Sequence, residues 1–499
     1  MKVRNTSFLL RWVSLVFISL ALVLTAFQLV RYSIQRSNYP PQLTIAGVHV
    51  GGLDPQAVRE RLLQVYSTPV ELQYGGAVIL LDPSLVGFDL NLESMLAAAD
   101  MQRTGASFWG GFWDYLWNRH SAGSDVPLVV TISEERLRLY LLDEVSSRYD
   151  QPPLPAQAIP GSSDFLPGQP GQVLDIDRAV ILIEDALKSP TSRTVILSSQ
   201  NEAASRPTLE NLQLLIESLV AKEGFTGIMG LYLLDLQTGD ELHFGYYNGA
   251  HLSVNPDIAF TAASTVKIPI MVSAFRHQNG ELDDATTALM TEMIKQSDNP
   301  PADELMRAIE PNRGPLVVTE DMRMLKLENT FLAGFFCDVV NPCPLLQVYK
   351  TPANQRTDVD TAPDLYNQTT PSDMGMLLED LYQCSQTGGS ALVVAFPGQL
   401  DQAACQQMVQ LLEEDKIGVL IQAGVPEGTA VAHKHGWVTD VTSGIMYNVS
   451  DAAIVYTPGG NYILTIYVYH PDQILWDQVS RIFAQISRAV YNYFNLPSQ

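Results

Sequence analysis

Residues 260–267 read Phe260-Thr-Ala-Ala-Ser-Thr-Val-Lys267, with a proline two positions on at 269. Ser264 and Lys267 stand three apart, and on a helix such a pair shares one face. A serine hydroxyl is a weak nucleophile unless a base lies beside it. A lysine can be that base once burial or a neighbouring cation lowers its pKa. Proline is tolerated in a first helical turn and disruptive deeper in, so Pro269 places the helix start near Ser264. There the helix dipole and unpaired N–H groups favour developing negative charge. Among the lysines, only Lys267 has a serine three residues before it.

Downstream, Ser297-Asp298-Asn299 follows a helix expected over 286–296. The hydroxyl of Ser297 could relay a proton to a departing nitrogen, and the amide of Asn299 could hold a substrate carbonyl and Lys267 together. Read alone, the triplet is an ordinary helix cap. Further on comes His433-Lys434-His435-Gly436-Trp437. Here Lys434 could receive a carboxylate, Gly436 lets substrate lie close to an edge strand, and the Trp437 N–H could join that of Ser264 as an oxyanion donor.

The element pattern around these motifs is ordered. Thr208 caps a helix running to residue 222, with Leu212, Leu215, Ile216 and Leu219 on its apolar face and Gly224 as the stop. Residues 228–236 and 241–246 read as a hairpin. About 170 residues of helix and loop follow the nucleophile. Strands over 444–456 and 462–469 then pair across Pro458-Gly-Gly460, and an amphipathic helix over 474–494 ends the chain. The simplest packing is α+β: one antiparallel sheet flanked by terminal helices, with a helical lobe beside it.

Three weak motifs in this order make a specific one. The segment from about 207 to 499 resembles the class A β-lactamase and penicillin-binding serine hydrolase superfamily, with its Ser-x-x-Lys, Ser-Asp-Asn and Lys-Thr-Gly elements. Leu325-Lys-Leu-Glu-Asn-Thr330 and Thr369-Thr-Pro-Ser-Asp-Met374 look like that family's segments before and after its omega loop. The resemblance implies acylation of Ser264 by a β-lactam or a peptidoglycan-type amide, followed by hydrolysis. It assigns Lys267 as activating base, Ser297 as proton shuttle, Asn299 as positioning group, and Lys434 with His435 and Gly436 as the carboxylate site. Three departures stand out. Histidine occupies the usual threonine position at 435, which makes carboxylate recognition depend on its protonation. Ser264 and Ser297 are 33 residues apart, a shorter connector than class A enzymes usually have. The omega-loop glutamate of class A enzymes has no match, because no Glu occurs between Asn329 and Leu378. Asp358, Asp360 and Asp364 are the possible substitutes. Retained acylation with impaired deacylation is therefore expected.

Residues 38–206 read as a smaller α/β region: a strand over 43–50, a helix over 55–65, a hairpin of 70–74 and 78–81 around Gly75-Gly76, a helix over 92–100, a strand over 128–132, a helix over 134–149, a strand at 173–175, a helix over 177–187 and a strand at 195–197. Ile45-Ala-Gly-Val-His-Val-Gly-Gly-Leu53, Gly87-Phe-Asp89 and Gly171-Gln-Val-Leu-Asp-Ile-Asp177 look like the peptidoglycan-binding domain found beside VanW-type and cell-wall transpeptidase modules. That family usually sits just outside a membrane anchor. The same glycines also suit ordinary α/β loops.

The first 37 residues fit such an anchor. Residues 12–30 form a 19-residue run without a charge, close to the roughly 20 needed to cross a bilayer. Lys2, Arg4 and Arg11 precede it and Arg31 and Arg36 follow, so a cytoplasmic N-terminus is only mildly favoured. The second reading is a cleaved signal peptide ending at Ala26 and a secreted chain, although Leu24 fits poorly at the small-residue position. Either way the bulk of the chain is expected outside the cytoplasm. Four cysteines suit that compartment. Of the three possible pairings, Cys337–Cys343 and Cys384–Cys405 close short loops and are preferred; four unpaired thiols are the alternative. No CxxC spacing points to zinc, and no GxGxxG, GKS/T or HExxH motif occurs, so neither metal nor cofactor is expected. The net charge of −24 argues against nucleic acid, whose phosphates need a basic face. It also disfavours a peripheral grip on anionic lipid.

Two further functions compete with the hydrolase: a wall-binding receptor or slow-turnover penicillin-binding protein lacking efficient deacylation, and a hydrolase of unrelated small esters or amides.

Overall fold

The computed structural model describes residues 4–105, 107–119, 123–337, 342–415, 417–440 and 442–496. The chain forms two compact units, residues 1–153 with 170–203, and residues 154–169 with 204–499.

The second unit is built on a six-stranded antiparallel sheet. Its spatial order is Ala250–Leu252, Glu241–Tyr247, Ile228–Asp235, Tyr462–Tyr469, Met446–Val455 and Val431–Thr439. The first long strand and the last pair in register from Ile228↔Tyr469 to Asp235↔Tyr462, so both ends of the unit meet at the sheet centre. Every residue of Ile228–Asp235 is buried. A sheet covered on both faces reads as an unbroken apolar run rather than an alternation, which is the pattern these strands show.

One face carries Met229, Leu231, Leu233, Leu464 and Ile466 against two helices. The helix Leu209–Lys222 is capped by Thr208, whose hydroxyl accepts from Asn211 N. The helix Trp476–Phe494 buries Val479, Ile482, Phe483, Ile486 and Val490. Each such side chain contributes about 1.5–3 kcal/mol by leaving water. The other face carries Tyr232, Leu234, Ala452, Ile454 and Tyr467 against the helical lobe, through Phe260, Val266, Met271, Leu377 and Leu381. This is the expected α+β arrangement of sheet, terminal helices and lobe. The motif 433–437 lies on a strand of its own, Val431–Thr439, at the sheet edge. Two disulfides tie the lobe: Cys337–Cys343 closes a short loop, and Cys384–Cys405 joins the helices Pro371–Thr387 and Gln402–Glu413.

Residues 154–169, on the N-terminal side of the 206/207 boundary in the sequence reading, pack in the second unit. Their short hairpin, Gln157–Ala158 with Phe165–Leu166, places Phe165 in the helix-side core against Tyr493, ring centroids 6.3 Å apart.

The first unit contains the helix Arg4–Ser37 and two small cores. Residues 10–37 of that helix are long and apolar enough to cross a membrane, and their apolar 18-residue window is unburied. The hairpin Val70–Tyr74 with Ala77–Leu81 takes Thr194–Ile196 as a parallel neighbour. The expected single strand over 43–50 is instead a tight turn between two-residue strands, Thr44–Ile45 and Val48–His49. Ala46 and Gly47, both at positive φ (53° and 71°), reverse the chain there. The strand expected over 128–132 is only Val130–Thr131. The helix expected over 134–149 is Glu134–Tyr140, a wider π segment Leu141–Ser146 and a last turn Ser147–Tyr149.

Candidate active site

A short strand, Phe260–Thr261, leads into the 3₁₀ turn Ala263–Val266 and then the helix Lys267–His277. Thr265 ties the turn down: its hydroxyl donates to Ala262 O at 2.6 Å and lies 2.9 Å from the Tyr467 hydroxyl. Ala263 adopts φ of 51°, left-handed without being glycine. Such backbone costs on the order of 1–3 kcal/mol and persists only where packing enforces it. From 261 to 270 only Ser264 keeps appreciable solvent access.

Lys267 is fully buried, and its ammonium is surrounded by the predicted groups. Nζ donates to Ser264 Oγ at 3.1 Å, to Ser297 O at 2.6 Å and to Asn299 Oδ1 at 2.9 Å, and lies 3.5 Å from Ser297 Oγ. The Phe336 ring lies below it, centroid 5.5 Å away. Burial, then the charge of Lys434, lowers its pKa from 10.5 to about 7, against the pull of Asp298, Asp303 and Asp415. An amine that is half unprotonated near neutrality, in contact with a serine hydroxyl, can accept that hydroxyl's proton.

Ser297 sits between the helices Asp284–Lys295 and Asn299–Ile309. Its φ of 63° is again left-handed, and this turns both its carbonyl and its hydroxyl towards Lys267. Asn299 opens the second helix, and the prolines at 300 and 301 occupy its first turn, where their missing N–H groups cost nothing.

The edge strand closes the site. A Cβ built on Gly436 would lie 2.6 Å from Ser264 N and 3.1 Å from Ala263 Cβ. Only glycine lets this strand lie directly against the turn that carries Ser264, and that contact puts the backbone of Gly436 and Trp437 beside it. The Trp437 ring stacks on His435 at 5.1 Å and meets Trp476 edge-on at 5.1 Å.

Lys434 is also fully buried. Its Nζ donates to Asp415 Oδ2 at 3.4 Å, and His435 Nδ1 approaches the same oxygen at 3.0 Å. Among the described residues, neither ring nitrogen of His435 has hydrogen-bonding geometry with a partner. Burial alone would raise the Asp415 pKa, but His435, Lys434 and His433 together hold it below the ordinary value. Burial lowers that of Lys434, opposed by Asp415. On the same strand, His433 Nδ1 donates to Asp451 Oδ1 at 3.0 Å; burial disfavours its charge, yet the aspartate outweighs this and raises the pKa. Asp415 and Asp451 were not anticipated. Asp415 follows the helix Gln402–Glu413 in a loop, and nothing local in the sequence marks it.

The three aspartates offered in place of the omega-loop glutamate differ in setting. Asp358 is held bidentately by Arg356 at 2.9 and 2.8 Å. Asp360 accepts from Ala362 N at 2.7 Å. Asp364 lines a cleft of about 240 Å³ with Phe335, Phe336, Tyr366 and Asn367; burial raises its pKa, and Asn367 Nδ2 donates to it at 3.3 Å.

A family model described as the beta-lactamase enzyme family matches residues 211–288 and 285–494. No curated protein matches the chain. Among solved structures, PBP-A is 22% identical with a TM-score of 0.40, covering 58% of this chain and 99% of that one. A β-lactamase from Sphaerobacter thermophilus is 18% identical with a TM-score of 0.40, covering 57% of this chain and 98% of that one. A class A β-lactamase from Mycobacterium abscessus is 20% identical with a TM-score of 0.39, covering 56% and 99% respectively.

Proposed function

The chain belongs to the beta-lactamase enzyme family, and from that premise we propose that it is a membrane-anchored, extracytoplasmic serine hydrolase forming an acyl-enzyme on Ser264. The observation that carries this is the contact of a buried, pKa-lowered Lys267 amine with the Ser264 hydroxyl at 3.1 Å. Neutral Lys267 takes the hydroxyl proton as Oγ attacks the carbonyl carbon of a β-lactam or peptidoglycan-type amide. The N–H groups of Ser264 and Trp437 receive the oxyanion. Ser297 passes the proton to the leaving nitrogen as the C–N bond breaks, which leaves an ester on Ser264. Asn299 orients the substrate carbonyl, while Lys434, with His435 and Gly436, faces the substrate carboxylate. Water then cleaves the ester. Asp364, on the cleft wall beside Phe336, is the best placed of the three aspartates to activate it.

The buried Lys434–Asp415 pair favours a second reading, a receptor or slow-turnover penicillin-binding protein. A lysine already neutralised by an aspartate attracts a substrate carboxylate less strongly.

Support for a wall-binding first unit comes from an open cleft of about 510 Å³ lined by Arg59, Tyr66, Phe88, Asp89, Asn91 and Glu93. It contains residues of the Gly87-Phe-Asp89 motif, and it offers aromatic and polar groups of the kind that bind sugars and peptides. The helix at 10–37 supports the single-pass anchor.

Fluorescent penicillin tests the reaction. Covalent labelling of the full chain that is lost in Ser264→Ala is the expected result, and rapid nitrocefin turnover would make it a β-lactamase. An unlabelled wild type without turnover would sink the hydrolase reading in favour of the receptor. Co-sedimentation of the full chain with cell-wall sacculi, weakened by Phe88→Ala, is the expected outcome for the first unit; no enrichment over a control protein removes that assignment.

A further inference from the structure

We propose that the helix Phe108–Leu116 lies in the outer headgroup layer of the bilayer, with Trp109, Trp113 and Trp117 as a lipid-facing stripe. The proposal rests on the membrane-anchored reading above and adds to it a second contact with the bilayer.

The stretch reads Phe108-Trp-Gly-Gly-Phe-Trp-Asp-Tyr-Leu-Trp117. Trp109, Trp113 and Trp117 follow one another at intervals of four, which places them along one side of a helix and its last turn. They are 68%, 59% and 63% exposed. The chain has 6 tryptophans, and three of them stand in this one stripe. A contiguous aromatic strip held in water marks a surface with a partner.

The opposite side of the helix shows what that partner is. Phe108, Phe112 and Tyr115 surround Tyr32 of the apolar N-terminal helix, with ring centroids 5.4, 5.5 and 5.4 Å away. Tyr115 Oη donates to Gln28 Oε1 at 3.2 Å, and the Arg36 guanidinium lies 5.2 Å from the Phe108 ring centroid. Gly111 makes this approach possible, because a Cβ there would collide with the Tyr32 hydroxyl. The short helix is therefore clamped to residues 28–36 of the long one.

Depth follows from helix geometry. The uncharged run spans residues 12–30 between Arg11 and Arg31. At 1.5 Å per residue such a run is about 30 Å long, the thickness of the hydrocarbon core. A span entering near Arg11 leaves near Arg31, which places Gln28 and Tyr32 at the exit plane. Whatever is clamped to them lies at that plane too. Tryptophan is the side chain that prefers this zone, its ring among acyl chains and its N–H among headgroups. The helix carries one charged residue, Asp114, and at nine residues it is too short to span; it is suited to lying in the interface.

The test uses the full chain in phosphatidylcholine vesicles whose acyl chains carry bromine at shallow or deep positions, in a Trp12→Phe background that removes the tryptophan inside the span. The expected result is quenching of most of the remaining emission, stronger from shallow than from deep bromines. It should be abolished by Trp109→Ser/Trp113→Ser/Trp117→Ser, with vesicle co-flotation and Ser264 labelling unchanged. Co-flotation without quenching overturns the proposal and leaves the anchor intact. So does a tryptophan-dependent dimer whose emission bromine cannot reach, since a second copy then covers the stripe. A chain that does not co-float removes the anchor and the proposal with it.

Discussion

In the proposed mechanism Lys267 sets the pH at which the site can act. With its pKa lowered to about 7, the proton-accepting amine is scarce below neutrality and abundant above it. The acylation rate should rise with pH through about 7 and then level, falling at pH 6 to roughly a tenth of the plateau, since each unit below the pKa removes about a factor of ten of free amine. Labelling rates with fluorescent penicillin from pH 5.5 to 8.5 measure this, and a flat profile would rule out the lysine as base. Gly436 is the second decisive residue. With a Cβ 2.6 Å from Ser264 N, Gly436→Ala must push the edge strand off the Ala263–Val266 turn. A roughly tenfold to hundredfold slower acylation is expected if an oxyanion donor is displaced, with the circular dichroism unchanged. Ser264, Lys267, Ser297, Asn299 and Gly436 were legible in the sequence because each belongs to a motif whose spacing is local. Asp415 was not, because the contact that joins it to Lys434 bridges 19 positions of loop and strand.

At the scale of the element, legibility followed burial. The strands Ile228–Asp235 and Tyr462–Tyr469 announced themselves as apolar runs because the sheet is covered on both faces. The helix Trp476–Phe494 did so by the period of its apolar residues. Where structure turns on a single dihedral, the pattern fell silent. Ala46 at φ 53° carries no turn signature of its own, so residues 43–50 looked continuous. Running from the helix Glu134–Tyr140 into the π segment, the buried residues Leu137, Leu141 and Val145 keep a spacing of four, which a plain α-helix would also show. The terminal helix offers a direct measure of what such a face contributes. Phe483 is fully buried between helix and sheet, and Phe483→Ala should cost about 3–5 kcal/mol, read as a lower urea midpoint for the second unit. A loss below 1 kcal/mol would mean that the helix is not packed as described.

Across the whole molecule, the segment 154–169 determines where the chain can be cut. Lys222 Nζ donates to Gly161 O at 2.7 Å, Asn492 Nδ2 donates to Ser163 O at 2.9 Å, and Phe165 is buried beside Tyr493. A fragment beginning at residue 207 loses all three contacts. Its unfolding should come on the order of 5 °C below that of the same unit in the full chain, the equivalent of about 2 kcal/mol. Calorimetry compares the two, and coincident transitions would show that the segment contributes nothing.

The connection between the units is not one thread. The chain passes into the second unit after residue 153, returns after 169 and passes over again after 203. A protease that clips the exposed stretch near Glu202 would therefore free nothing at once, because the hairpin left on the N-terminal piece stays docked in the second unit. If the chain is anchored as proposed, release of the second unit at this linker would need a second cut or the extraction of that hairpin, so the architecture resists separation by a single nick there.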